Sequence, residues 1–219
     1  MNAGTVTRLT PTQQAAAAKI ACGIAHPGGV ALLCGPQGVG KTTVLAHLAS
    51  DSRLRSMSIE SLEMEAWESA IASGRREFPD IVIAYEAHLA SDGGIARLLA
   101  ACRGRRPAAS VVLAGEGRLL TLVSRDSRVE QAVHLRAGLR PCTFHESRDL
   151  LATVQHDAAM PRPMNDETVL RIHEITAGIP AAMQRLAGLA AVLAAAHPDR
   201  GLTAADIEAL HRRLAPLAA

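Results

Sequence analysis

The sequence predicts an α/β fold, a parallel sheet flanked by helices, followed by a small all-helical lobe, and three observations predict it. Short continuous apolar runs recur at Val30–Cys34, at 81–84 (IVIA) and at 110–114 (SVVLA), each bounded by turn-forming residues, as in strands buried on both faces. Helical segments separate these runs, and strands that alternate with helices build parallel sheets. Beyond about residue 140 the strand-like runs stop and only helix start signals follow. We therefore expect the α/β body over 1–140 and the helical lobe over 141–219.

Taken in order, Thr10-Pro11-Thr12 opens a first helix that runs through Ile24, with proline in the first turn, where its missing N–H costs nothing. His26-Pro-Gly-Gly29 ends it, Val30–Cys34 is the first strand, and a glycine loop leads into a helix over about Lys41–Ala49. Residues 56–59 read as a second strand and 61–74 as a helix capped by Ser61. Pro79-Asp80 introduces the strand at 81–84, Gly94–Arg103 reads as a helix, and the strand at 110–114 ends in Gly115. In the lobe, Thr143-Phe-His-Glu146 is a capping box, in which threonine bonds the third amide and glutamate reaches back. Further helices start near Asn165-Asp166, just after Gly178-Ile-Pro180, and at Thr203.

Composition narrows the function. The 219 residues are 48% hydrophobic and 20% charged, which excludes a disordered chain. There are 42 Ala and 21 Arg but only two Lys, Lys19 and Lys41, a skew expected of a GC-rich coding bias, so most arginines need no functional reading. The four aromatics are Trp67, Phe78, Tyr85 and Phe144, so the core must be aliphatic and base stacking has almost nothing to use. A net charge of +2 gives no support to a DNA-coating role. Cys22, Cys34, Cys102 and Cys142 form no C-x-x-C pair and are expected in the core rather than on zinc. The N-terminus has no apolar signal region, and the run Ile179–Ala196 is interrupted by Gln184 and Arg185, so no transmembrane segment is expected and the protein reads as cytoplasmic.

The chemistry concentrates in Gly35-Pro36-Gln37-Gly38-Val39-Gly40-Lys41-Thr42, a complete G-x-x-x-x-G-K-[ST] between an apolar strand and a helix. Glycines let successive backbone N–H groups turn toward phosphate oxygens, and the helix N-terminus adds its dipole. Lys41 supplies the cation, the Thr42 hydroxyl a Mg²⁺ ligand, and Thr43 completes the cradle, so ATP with Mg²⁺ is the expected ligand. Hydrolysis would also need an acidic end on a neighbouring strand. Residues 81–88 (IVIAYEAH) end in Glu86-Ala-His88, where Glu86 could act as base and support the metal. The position before it, where Mg²⁺ calls for a carboxylate, is Tyr85, and a neutral phenol is a poor ligand for a hard dication. Asp80 lies at the wrong end of the strand. No spacing of Ser, Cys and His suggests a covalent nucleophile.

Together these stretches resemble an AAA+ ATPase of the GspA/ExeA type, which serves secretion, pilus or surface-polysaccharide machinery, and the related TniB-like transposition ATPases. Thr10-Pro-Thr-Gln-Gln is similar to the family's leading helix, and Val82–His88 to its V-I-D-E-A-H. Val111-Val-Leu-Ala-Gly-Glu-Gly117 is similar to its sensor strand, and Gly178-Ile-Pro180 to the G-x-P that opens the sensor-2 helix of the lid. The resemblance implies that Glu116 stands at the sensor-1 position and Arg185, one turn after Ala181, near the sensor-2 arginine. It places Arg128 near a trans-acting arginine finger. It also implies homo-oligomers and protein partners in an export or pilus machine. DNA is the alternative partner, with Arg103-Gly-Arg-Arg106 as a possible phosphate contact; a catalytically dead subunit is a third reading. The sequence stops soon after the lid, so the membrane span and wall-binding region of the secretion members are not expected. With Tyr85 in place of the acid and Glu116 adding negative charge, nucleotide binding with slow or absent hydrolysis is expected.

Overall fold

In the computed structural model, residues 9–214 are described, Arg76 excepted; the expectation about a secretion signal rests in part on residues 1–8, which lie outside the described residues. Two compact units meet at the Arg140–Pro141 junction of the chain.

In the first unit α1 (Pro11–Gly23) precedes β1 (Val30–Cys34), and α2 (Lys41–Ala49) leads through a 3-10 turn to β2 (Ile59–Glu63). There follow α3 (Met64–Ala72), β3 (Ile81–Tyr85), a 3-10 turn at Ala87–Leu89, α4 (Gly94–Arg103) and β4 (Ser110–Gly115). The unit closes with α5 (Gly117–Arg125), α6 (Ser127–Ala132) and β5 (Leu135–Gly138). The strands form one all-parallel sheet in the order β2-β3-β4-β1-β5. Alternation within each strand feeds two cores. Val30 and Leu32 pack with Trp67, Leu98 and Val129 on one face, while Ala31 and Leu33 pack with Ile20, Val44 and Leu45 on the other. That two-sided burial is why the central strands read as unbroken apolar runs. Trp67 is fully buried, and its indole N–H donates to the Ile83 carbonyl at 3.1 Å.

Five elements and two cysteines depart from expectation. The second strand is 59–63 rather than 56–59, because Asp80 accepts from both Ser58 N and Ser58 Oγ at 2.8 Å and turns the polar segment before the strand begins. Ser61 accordingly lies within β2 opposite Ile83, and the helix expected from it starts at Met64, where Glu63 makes no side-chain cap bond. As the sheet edge, β2 is only half buried and mixes Glu and Ser with Ile and Leu, so it lacks the continuous apolar run of the central strands. The segments α5, α6 and β5 were not anticipated; β5 has four residues, of which Arg136 and Gly138 are exposed, too little pattern for a period of two. Finally, Cys102 and Cys142 are buried as expected, but Cys34 is half-buried and Cys22 exposed.

The second unit comprises α7 (Phe144–Asp157), α8 (Asp166–Ile175), α9 (Pro180–Ala196) and α10 (Ala204–Leu214). Its start signals act as the residues dictate. Thr143 Oγ1 accepts from Glu146 N at 3.3 Å while Glu146 Oε2 accepts from Thr143 N at 3.0 Å, and Asn165 Oδ1 accepts from Thr168 N at 2.9 Å. Gly178 sits at φ +68°, where a Cβ would run into the Cys142 carbonyl at 2.5 Å, and Pro180 follows at the first turn of α9. Leu151, Ile172, Met183, Ala187 and Ile207 form this unit's own core.

Candidate nucleotide site

The parallel register brings the carboxyl ends of the strands to one edge. Cys34 of β1 lies opposite Gly115 of β4 and Gly138 of β5, and Ala84 of β3 opposite Leu113 of β4, so the residues that follow each strand emerge side by side. In parallel α/β sheets this edge is where ligands bind.

The glycine loop leaves β1 at this edge. Gly38 and Gly40 take φ of +75° and +100°, a conformation that an L side chain adopts only under strain. At Gly40 a Cβ would also collide with the amide nitrogen of Gln13, and Gly40 is the N-cap of α2. The loop therefore presents backbone at a helix start, the arrangement that attracts anions. Lys41 Nζ donates to Gly35 O at 2.8 Å and Pro36 O at 3.1 Å, arching over the loop it serves. Pro36, Gln37 and Thr42 are exposed, Thr43 is half-buried, and Val39 is buried as the loop's anchor. Nearby, Cys34 carries a thiol whose pKa burial pushes up, with Lys41 pulling it back down.

Sequence reading missed the residue that fixes this loop to the body. Gln13 is 6% exposed; its carbonyl accepts from Thr10 N at 3.0 Å and its amide donates to Val39 O at 3.1 Å. Thr10 Oγ1 accepts in return from Gln13 N at 3.3 Å. The T-x-x-Q spacing of a capping box was the available signal.

On β3, Tyr85 is half-buried, packed against the core on the α1/α2 face. Glu86 adopts φ +49° and is exposed, and His88 stands close behind, its Nδ1 3.5 Å from Glu86 Oε2. Glu116, the N-cap of α5, makes no cap bond with its side chain. The ligand atoms of Glu86, His88 and Glu116 lie within 4.8 Å of one another, so the acids that follow β3 and β4 share one place. Arg128 does not join them. It lies in α6 with its side chain 86% exposed, 3.6 Å from Asp126. Arg185 is exposed on α9 in the second unit. Asp80, at the opposite strand end, is occupied by Ser58 and by Arg105 at 2.6 Å, so one arginine of the 103–106 cluster is already paired.

The loop's open glycine backbone, helix start and lysine fit a nucleotide phosphate chain. For Mg²⁺ the hard oxygens on this edge are the Thr42 hydroxyl and the Glu86 and Glu116 carboxylates, because Tyr85 offers a phenol. The chain matches no protein-family model and no curated protein. Solved structures do match it. Domain III of the replication initiation protein DnaA of Thermotoga maritima is 13% identical and superposes with a TM-score of 0.71, over 95% of this chain and 94% of that one. The fold is that of the AAA+ P-loop NTPases. The RuvB Holliday junction branch migration motor of the same organism is 20% identical over 92% of this chain and 69% of that one, with a TM-score of 0.60. The FIGL-1 AAA domain in complex with ADP is 18% identical over 99% and 85%, with a TM-score of 0.64. Strands in the order β2-β3-β4-β1-β5 place β4 between the loop strand β1 and β3, and this frame holds the glycine loop, Glu86 and Glu116 on one edge. Among the described residues no helix is long and apolar enough to cross a membrane.

Proposed function

We propose that this chain is an AAA+ nucleotide switch that binds ATP through Gly35–Thr43 and hydrolyses it slowly or not at all. The observation that carries the reading is the pairing of an intact phosphate loop with a strand end at which half-buried Tyr85 packs against the core and Glu86 is exposed. Lys41 and the loop amides hold the phosphates, Thr42 contributes a metal ligand, and Glu86 orients water. Mg²⁺, when bound with the nucleotide, neutralises phosphate charge; this chain offers it one carboxylate fewer than the sequence pattern calls for. Glu116 adds negative charge to the same edge, which weakens a metal–triphosphate complex less at docking than at turnover.

By the sequence resemblance the second unit takes the role of a lid that carries Arg185 as its sensor-2 arginine, and assembly of copies supplies Arg128 as a finger. The setting, a bacterial secretion, pilus or envelope-export assembly in the cytoplasm, rests on the same resemblance. A DNA-transposition helper draws less support, because Arg105 is already engaged with Asp80.

The deciding experiment measures ATP affinity and turnover with and without Mg²⁺ for the wild type and for Tyr85→Asp. We expect binding by both, and turnover that rises in the variant. Robust wild-type turnover refutes the slow-hydrolysis reading, and failure to bind any nucleotide refutes the switch.

A further inference from the structure

We propose that Glu86, His88 and Glu116 form a site for a first-row divalent cation of the Mn²⁺ or Zn²⁺ class, and that it fills without nucleotide. The inference rests on reading this sheet edge as the ligand-binding edge. Three donors from two adjacent strand ends converge within 4.8 Å, two carboxylates and one imidazole. Metal–ligand bonds of about 2.0–2.2 Å hold neighbouring donors roughly 3.0–3.5 Å apart, so closing the site takes a contraction of about 1 Å. The Glu86 side chain is 47% exposed and free to supply that movement by rotating, and its Oε2 already lies 3.5 Å from His88 Nδ1.

The imidazole is the independent indicator. His88 Nδ1 is shielded from solvent and makes no hydrogen bond, although the ring's side chain is only 13% exposed. A ring nitrogen that is shut away from solvent, makes no hydrogen bond and faces the Glu86 carboxylate at 3.5 Å carries a free-energy cost comparable to a lost hydrogen bond. A metal bond repays that cost at the atom that bears it. Gly115 makes room for the ring, since a Cβ there would lie 3.0 Å from His88 N and 3.2 Å from Nδ1. The two carboxylates supply negative charge that one divalent cation offsets. The nitrogen shifts preference from Mg²⁺, which takes oxygen, toward Mn²⁺, Zn²⁺ and their neighbours. Three protein donors with one exposed arm leave positions for water or for phosphate oxygens. In this chain the site would offset the carboxylate missing at Tyr85.

The test titrates the nucleotide-free full chain with Mn²⁺, followed by electron paramagnetic resonance, and separately with Co²⁺, followed by absorption. We expect one Mn²⁺ per chain, affinity lowered roughly tenfold or more by His88→Asn and by the isosteric Glu116→Gln, and Co²⁺ bands without thiolate charge transfer. Thermal melts establish that each variant is folded, and Glu116→Gln carries the test should His88→Asn fail to fold. Absence of Mn²⁺ binding, binding undiminished in both variants, or a thiolate band overturns the proposal. Binding of a fluorescent ATP analogue in EDTA reports the phosphate loop separately. A chain that takes Mn²⁺ but no nucleotide refutes the switch and supports the metal site, and the converse refutes the metal site alone.

Discussion

Gln13 links two structures that could have been independent, the start of α1 and the phosphate loop, and substitution separates them. Gln13→Ala removes the bond from Thr10 N at 3.0 Å and the bond to Val39 O at 3.1 Å, from a residue only 6% exposed. Each hydrogen bond is worth about 1 kcal/mol net, so the loss is about 2 kcal/mol, or a fall of about 4–8 °C in the first unit's melting temperature. Gln13→Glu is the informative partner. Glutamate still accepts from Thr10 N, as in an ordinary capping box, and suits the positive end of α1. It cannot donate to Val39 O, and sets a carboxylate against a carbonyl. We expect Gln13→Glu to recover about half of the lost stability while leaving ATP affinity as weak as in Gln13→Ala, because the loop tether is gone in both. Differential scanning fluorimetry and a fluorescent-nucleotide titration on the three proteins read the two effects. Wild-type ATP affinity in both variants refutes the tether, and equal stability of the two variants refutes the separation of cap from tether.

Other consequences are measurable in the same protein. Asp206 receives two hydrogen bonds from Arg200, at 2.9 and 3.0 Å, and one from Thr203 N at 3.0 Å, and these hold its carboxyl at about 2, against about 3.9 unfolded. A depressed carboxylate contributes stability that is complete above about pH 4 and is lost as pH falls through about 2; Asp206→Asn should therefore cost the second unit about 1 kcal/mol at pH 6, after allowance for solvent screening, and nothing near pH 1.5, by denaturant unfolding at both values. Burial pushes the Cys102 thiol up to about 12 and, together with Glu146, the Cys142 thiol to about 11, whereas Cys22 is exposed. A thiol reagent at pH 8 should label Cys22 first and Cys102 and Cys142 only at the rates at which their own units open; prompt labelling of either buried thiol contradicts this packing.

What sequence reading recovered follows from how locally each signal is generated. Strands β1, β3 and β4 are buried on both faces, so hydrophobicity alone marks them, and α7, α8 and α9 announce themselves through Thr143, Asn165 and Pro180, whose side chains act within one turn. The edge strand β2 and the short β5 lack that two-sided burial, and the boundary near Ser58 depends on Asp80, 22 positions away. The glycine loop was legible because its chemistry is contained in eight consecutive residues. The tether from Gln13, 26 positions before Val39, was not, since nothing local to the loop encodes it.

The same distinction governs the strand-end carboxylates. In sequence, Glu86 and Glu116 are 30 positions apart and belong to separate motifs, one a base, the other a substitution at a polar sensor position. Parallel pairing of β3 with β4 makes them neighbours, since Ala84 opposite Leu113 sets the residues two and three positions further on at the same edge. Two carboxylates placed together at a phosphate-binding edge repel both each other and a triphosphate unless something positive stands between them. Lys41 is turned toward its own loop carbonyls, and Arg128 is paired with Asp126 out on α6. Neither of these cations neutralises the pair, which leaves that place to a bound cation. Glu86→Gln and Glu116→Gln each remove one of the two like charges, so each should weaken Mn²⁺ binding and tighten the binding of a fluorescent ATP analogue in EDTA. ATP affinity in EDTA that is unchanged in both variants would show that the two carboxylates do not act on the phosphate-binding edge.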